Sequence, residues 1–166
     1  MSHGVGKIAA LYHGEGDAIG YTPEAPYGHL GWCPPGHYVL GAPQRFESPI
    51  ASEGFGQIPI VDLTSDVAEQ LVSAGKAKWS GLDLIIGGIG SRIGQLATYG
   101  RSDIFAHGGG SNAVDPYADY QELCKTEGCT RMWNLEWRRF ADWLDANRGE
   151  NTVVYSILGD PVRLPK

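Results

Sequence analysis

Twenty-four glycines and ten prolines cut this 166-residue chain into short pieces, and that punctuation constrains the fold more than any other feature. Both residues weaken helix interiors, proline by about 3 kcal/mol. The runs left between them are mostly of strand length, so a helical bundle is disfavoured. Apolar residues at 42% are enough to build a core, and charged residues reach only 19%. The expectation is one domain spanning residues 1–166, mainly β (β-rich α+β), with a mixed or closed sheet and one or two packed helices. The net charge of -6 and the lack of a basic run argue against a nucleic-acid partner. Apolar stretches such as residues 82–93 are broken by Gly and Asp. They stay below the roughly 20 residues a membrane helix needs, so no membrane span is expected.

Local patterns place strands at residues 7–13, 37–42, 57–63, 82–86, 103–106 and 152–158, with a long loop over 14–35. A helix is expected over 66–76, capped by Thr64 or Ser65, with Val67, Leu71 and Val72 on one face and Gly75 at its end. Residues 117–124 suit a helical turn. A longer helix runs from Asn134, read as its N-cap, to about Asn147. Leu135, Phe140, Ala141 and Leu144 form its apolar face, Trp137 and Trp143 flank it, Glu136 suits its first turn and Gly149 its C-cap.

Chemistry concentrates in two segments. Ile104-Phe105-Ala106-His107-Gly108-Gly109-Gly110 ends an apolar run in a histidine and three glycines. About twenty residues later comes Thr126-Glu127-Gly128-Cys129-Thr130-Arg131-Met132. A free thiol has a pKa of about 8.5 and needs a base or a positive site to act as a nucleophile near neutrality. A histidine on a strand end facing a cysteine on a tight glycine turn is one way to provide it.

This pairing resembles the signature of the L,D-transpeptidase (YkuD-like) family: a His-Gly step, then Ser/Thr-x-Gly-Cys-x-Arg, with an asparagine shortly after. The match covers roughly residues 80–145, and Pro34-Pro35-Gly36-His37-Tyr38-Val39-Leu40 resembles a segment many members carry on an early strand. The resemblance implies an L,D-transpeptidase-like mixed sheet or barrel. It implies Cys129 as nucleophile, His107 as base and Gly128 as the residue that lets the backbone turn beneath the thiol and present oxyanion-binding amides. Arg131 would lie beside the pocket and bind a substrate carboxylate or, as a structural residue, neighbouring carbonyls. Gly108, Thr126 and Glu127 would line the substrate, and Asn134 would open the following helix. The implied reaction is acyl transfer on a peptidoglycan stem peptide through a thioester, without cofactor or metal. Two departures stand out. Glu127 occupies the position where many members have histidine, as a turn residue or as a group orienting His107 or an incoming ammonium. The segment between His107 and Cys129 is longer than usual, with an excursion at residues 112–117.

Other features read more plainly. Three cysteines, Cys33, Cys124 and Cys129, are an odd number without metal-ligand spacing, so neither a disulfide framework nor a zinc site is expected. Cys33 and Cys124 read as structural. His3, His13, His29 and His37 read as surface or structural groups, with His13 and His29 as outside candidates for pocket lining. Gly88-Ile89-Gly90-Ser91-Arg92-Ile93-Gly94 misses the dinucleotide-loop spacing by one position, and its glycines read as room for close-passing strands, with Ser91 and Arg92 near the pocket rim. An exposed subset of Trp133, Trp137 and Trp143 would mark a protein interface. The first residues lack a signal-peptide pattern. That fits synthesis in the cytoplasm and delivery to the cell wall by a phage or contractile injection particle. It also allows a different class of function, a structural or adaptor component of such a particle.

Overall fold

The computed structural model describes residues 33–34, 36–111, 113–122, 128–148 and 152–157. The expected strand at 7–13, most of the loop at 14–35, Gly149, Cys124, Thr126 and Glu127 lie outside them. The described chain is mainly β, a mixed sheet curled into a half-barrel with a few helices. Its strands are β1 (Gly36–Leu40), β2 (Gln44–Ile50), β3 (Gly54–Asp62), β7 (Phe105–His107), β8 (Thr130–Arg131) and β9 (Val154–Ile157), in the order β8-β7-β3-β1-β9 with β2 also on β3. Its pairs are antiparallel except β7–β8, which is parallel. A smaller antiparallel sheet holds β4 (Lys78–Ser80), β5 (Asp83–Ile86) and β6 (Ile89–Ser91). The helices are α1 (Ser65–Ser73), α2 (Gln95–Thr98) and α3 (Asn134–Arg148).

Strand β3 shows why these residues form a sheet. Gly54, Gly56, Ile58 and Ile60 are buried, while the residues between them are partly exposed, the two-residue alternation of a strand with one face on a core. Helix α3 packs Trp137, Phe140, Ala141 and Leu144 into a cluster with Tyr38, Leu40, Ile58, Ile60, Ala106 and Met132. Val39, pointing the opposite way from Tyr38 and Leu40, joins a second cluster with Leu63, Ala68 and Leu84. That cluster seats α1 and the small sheet on the other face. Thr64 caps α1 by accepting the Val67 N–H at 3.3 Å. Gly75, at φ 71°, closes the helix as its N–H reaches Val72 O and the Lys76 N–H reaches Leu71 O. The helix therefore stops at Ser73, short of residue 76.

Several expectations are corrected. Trp137 is 1% exposed and sits at the centre of the core. Its ring presses on the backbone of Gly56, where an added Cβ would come within 2.6 Å of the indole. Asn134 is the first residue of α3, not its cap. Its side chain is turned to neighbouring loops, and the Trp137 N–H bonds Trp133 O. Residues 117–122 form turns instead of a helical turn. The Asp115 carboxylate accepts the Tyr117 N–H, and the carbonyls of Pro116, Ala118 and Asp119 bond the start of α3. Gly87 and Gly88, at φ 58° and 81°, make the tight turn between β5 and β6. Ser91 packs under β1, with its Oγ accepting the His37 N–H, and Arg92 pairs with Asp83 within the hairpin.

Candidate active site

The strand β7 carries the base candidate. His107 is 6% exposed, and its Nδ1 lies 2.7 Å from Gly108 O. A carbonyl can only accept, so Nδ1 bears the proton and the neutral ring keeps its lone pair on Nε2. Burial pulls the imidazole pKa down to about 4 from 6.5; the Gly108 bond opposes this and the Arg131 charge adds to it. His107 is therefore a neutral base near pH 7.

The nucleophile candidate stands on the neighbouring chain. The parallel register pairs Ala106 with Thr130 and His107 with Arg131. One step back, Cys129 falls beside Phe105, whose N–H is 3.4 Å from Sγ. Cys129 lies just before β8, and its Sγ takes the place of a ladder acceptor beside Phe105, two residues before His107 on β7. Sγ also lies 3.8 Å from Asp103 O. Asp103 has φ 55°, a left-handed conformation that aspartate tolerates and that costs backbone energy. Burial raises the Cys129 pKa, the Phe105 N–H lowers it, Glu53 raises it, and Arg101 and Arg131 lower it. At rest Cys129 is a thiol and His107 a neutral imidazole.

The remaining expected residues fall as follows. Gly128 is buried with φ 116°, a conformation open to glycine. Arg131 is 6% exposed, and its Nη2 donates to Ser52 O at 2.9 Å in the β2–β3 turn. This carbonyl contact is the structural alternative for that residue. Gly108 donates its N–H to Glu53 O at 3.2 Å and gives its carbonyl to His107. The Gly110 N–H reaches Ala51 O at 2.7 Å. The β2–β3 turn thus clamps the loop after His107 at two points and reaches Arg131 at a third. Gly109, at φ 76°, has no room for a side chain: a Cβ would sit 2.4 Å from the backbone of Ser52 and Glu53. Comparison with protein-family models, with curated proteins and with solved structures returns no match for this chain.

Sequence reasoning missed the site contacts of five residues. Arg101, 5% exposed, lies within electrostatic range of Cys33, Tyr38 and Cys129. Asp103 and Phe105 act on the thiol through their backbones. Gln121, 4% exposed, bonds three backbone groups around the site. Asn134, fully buried, accepts the Gly109 N–H at 2.9 Å and donates to Ala118 O at 2.7 Å. His37, expected to be a surface or structural group, is a buried strut, with Nδ1 2.7 Å from Ser156 Oγ and Nε2 2.8 Å from Ile89 O. Cys33 is a fully buried thiol whose pKa burial pushes up to about 12. An open depression of about 530 Å³, lined by Lys76, Lys78, Gly87 and Gly88 among others, lies on the small sheet; none of its lining residues belongs to the Cys129 neighbourhood. Among the described residues no cluster of His, Cys, Asp and Glu is arranged to hold a metal, and no helix is long and apolar enough to cross a membrane.

Proposed function

We propose that this protein is a cysteine acyltransferase or hydrolase acting on peptidoglycan stem peptides, with Cys129 as nucleophile and His107 as general base. The observation that carries the reading is the bond from His107 Nδ1–H to Gly108 O. It fixes the tautomer that a base needs, on a strand paired in register with the nucleophile's own chain. The likeness of the Thr126–Met132 segment to the L,D-transpeptidase signature supplies the substrate class. Both groups are uncharged at rest, so the mechanism is general-base catalysis and not a preformed thiolate–imidazolium pair. Sγ attacks the amide carbonyl as Nε2 takes the thiol proton; the imidazolium then protonates the leaving amine, and a thioester remains on Cys129. Backbone N–H groups around Gly128 and Cys129 receive the developing oxyanion. An amine acceptor completes cross-linking or exchange, and water completes hydrolysis.

The test is intact-mass detection of a covalent adduct with a stem-peptide donor or a β-lactam acylating agent. Cys129→Ala abolishes the adduct, and His107→Ala slows its formation on the order of 10² to 10⁴-fold, the usual loss for a missing general base. Peptide mapping that places the adduct on Cys33 or Cys124 would overturn the assignment.

A further inference from the structure

The parallel ladder between the two catalytic strands ends just past the dyad. Its last rung is the Met132 N–H to His107 O bond at 2.9 Å. Beyond it the chains diverge, one into Gly109 and the other into α3, and each presents a carbonyl at the gap. Two acceptors cannot bond each other, and a buried unpaired carbonyl is costly. Gln121 fills the gap with one amide. Its Nε2 donates to Gly109 O at 2.9 Å and to Met132 O at 3.0 Å, while its Oε1 accepts the Asn134 N–H at 2.8 Å. All three bonds fix the same orientation of the amide, since the flipped form would set its oxygen against two carbonyls. One bonded carbonyl lies two residues after His107 and the other three residues after Cys129. The side chain acts as an extra rung that holds the base-bearing and nucleophile-bearing chains at one separation.

We propose that Gln121 is a positioning residue that sets the His107–Cys129 geometry by tying Gly109 to Met132. The proposal rests on the dyad assigned above. Without the –NH₂ group the two carbonyls repel and the chains part. A displacement of about 1 Å at such a site costs on the order of 10²-fold in rate.

The experiment measures the rate of Cys129 alkylation by iodoacetamide near pH 7, read by peptide mass, in four folded proteins. These are the wild type, His107→Ala, a Gln121 variant and the double variant. Gln121→Leu removes all three bonds. Gln121→Glu keeps length and the acceptor for Asn134 but loses the donors, and it serves if the leucine variant fails to fold. A positioning role predicts slower alkylation, by roughly 10-fold or more. It also predicts a double variant no slower than His107→Ala alone, because both changes remove one function. A merely structural role makes the opposite forecast: loosening around a partly buried thiol speeds alkylation. Unchanged or faster alkylation in the Gln121 variant, with His107→Ala slow, overturns the proposal and leaves the dyad standing. Equal rates in wild type and His107→Ala overturn the dyad, and this proposal with it.

Discussion

The pKa of His107 makes a direct forecast about stability. The imidazole titrates near 6.5 when exposed and about 4 in the folded chain, because burial, aided by Arg131, disfavours its cation. Between those values the unfolded chain binds a proton that the folded one does not. Stability therefore rises with pH across the window and falls as the solution is acidified. Above about pH 7.5 both states are neutral and the histidine contributes nothing. Each pH unit between the two values is worth about 1.4 kcal/mol, so linkage gives a penalty of about 2 kcal/mol near pH 5 and about 3 kcal/mol below pH 4. Carboxylates titrate in the lower part of the same range, so the quantity to measure is a difference. Urea unfolding of the wild type and of His107→Gln, whose side chain stays neutral, is followed from about pH 8 to about pH 4.5. The variant begins less stable if the Gly108 bond is lost, but its curve is flatter. The gap between the two narrows by about 2 kcal/mol on going to pH 5. Curves that run parallel from about pH 8 to about pH 5 would refute the buried, neutral imidazole, and with it the general-base mechanism.

Three further outcomes are expected. Gly109→Ala combines an unfavourable φ with a clash against the β2–β3 turn; it lowers stability by about 2–4 kcal/mol in urea melts, and a loss under about 1 kcal/mol refutes the close approach. Trp137→Phe removes the indole N–H to Ala106 O bond of 2.8 Å and thins the packing on Gly56, and it costs about 1–3 kcal/mol by calorimetry. Arg131→Lys keeps the charge but loses the planar fork, so kcat/KM falls further for donors with a free carboxylate than for their amides; equal losses leave the arginine only its Ser52 contact.

The parts of this site that were legible in sequence are those written in adjacent residues. His107 before three glycines and Cys129 after Gly128 advertise themselves because the turn chemistry is local. The helix at Asn134 was readable from its periodicity, and Thr64 from its place before an apolar stripe. The parts that stayed hidden depend on distant partners. Gln121 bonds groups 11 to 13 residues away, two in loops and one at the first residue of α3, from a loop that has no period of its own. Trp137 looked like a flank because the surface it covers is the bare backbone of Gly56, on a strand about eighty residues earlier. Strand β2 escaped notice because QRFESPI is largely exposed and contains Pro49, so it lacks the alternation that marks a half-buried strand. Strands β4 and β6 have three residues each, too few for a pattern.

The position of β1 in the sheet has a consequence for how the chain assembles. Strand β1 lies between β3, which follows it closely, and β9, with which His37 makes a contact across 119 residues. Pairing β1 with β3 closes a short loop, whereas pairing it with β9 must wait for nearly everything between. His107, Cys129 and Gln121 all belong to the stretch enclosed by that late closure. Topology of this kind slows the search for the native state and leaves the β1 edge exposed while the search goes on. A refolding intermediate with β1, β3 and β7 already protected from amide exchange, and β9 not yet, is the species this arrangement would populate.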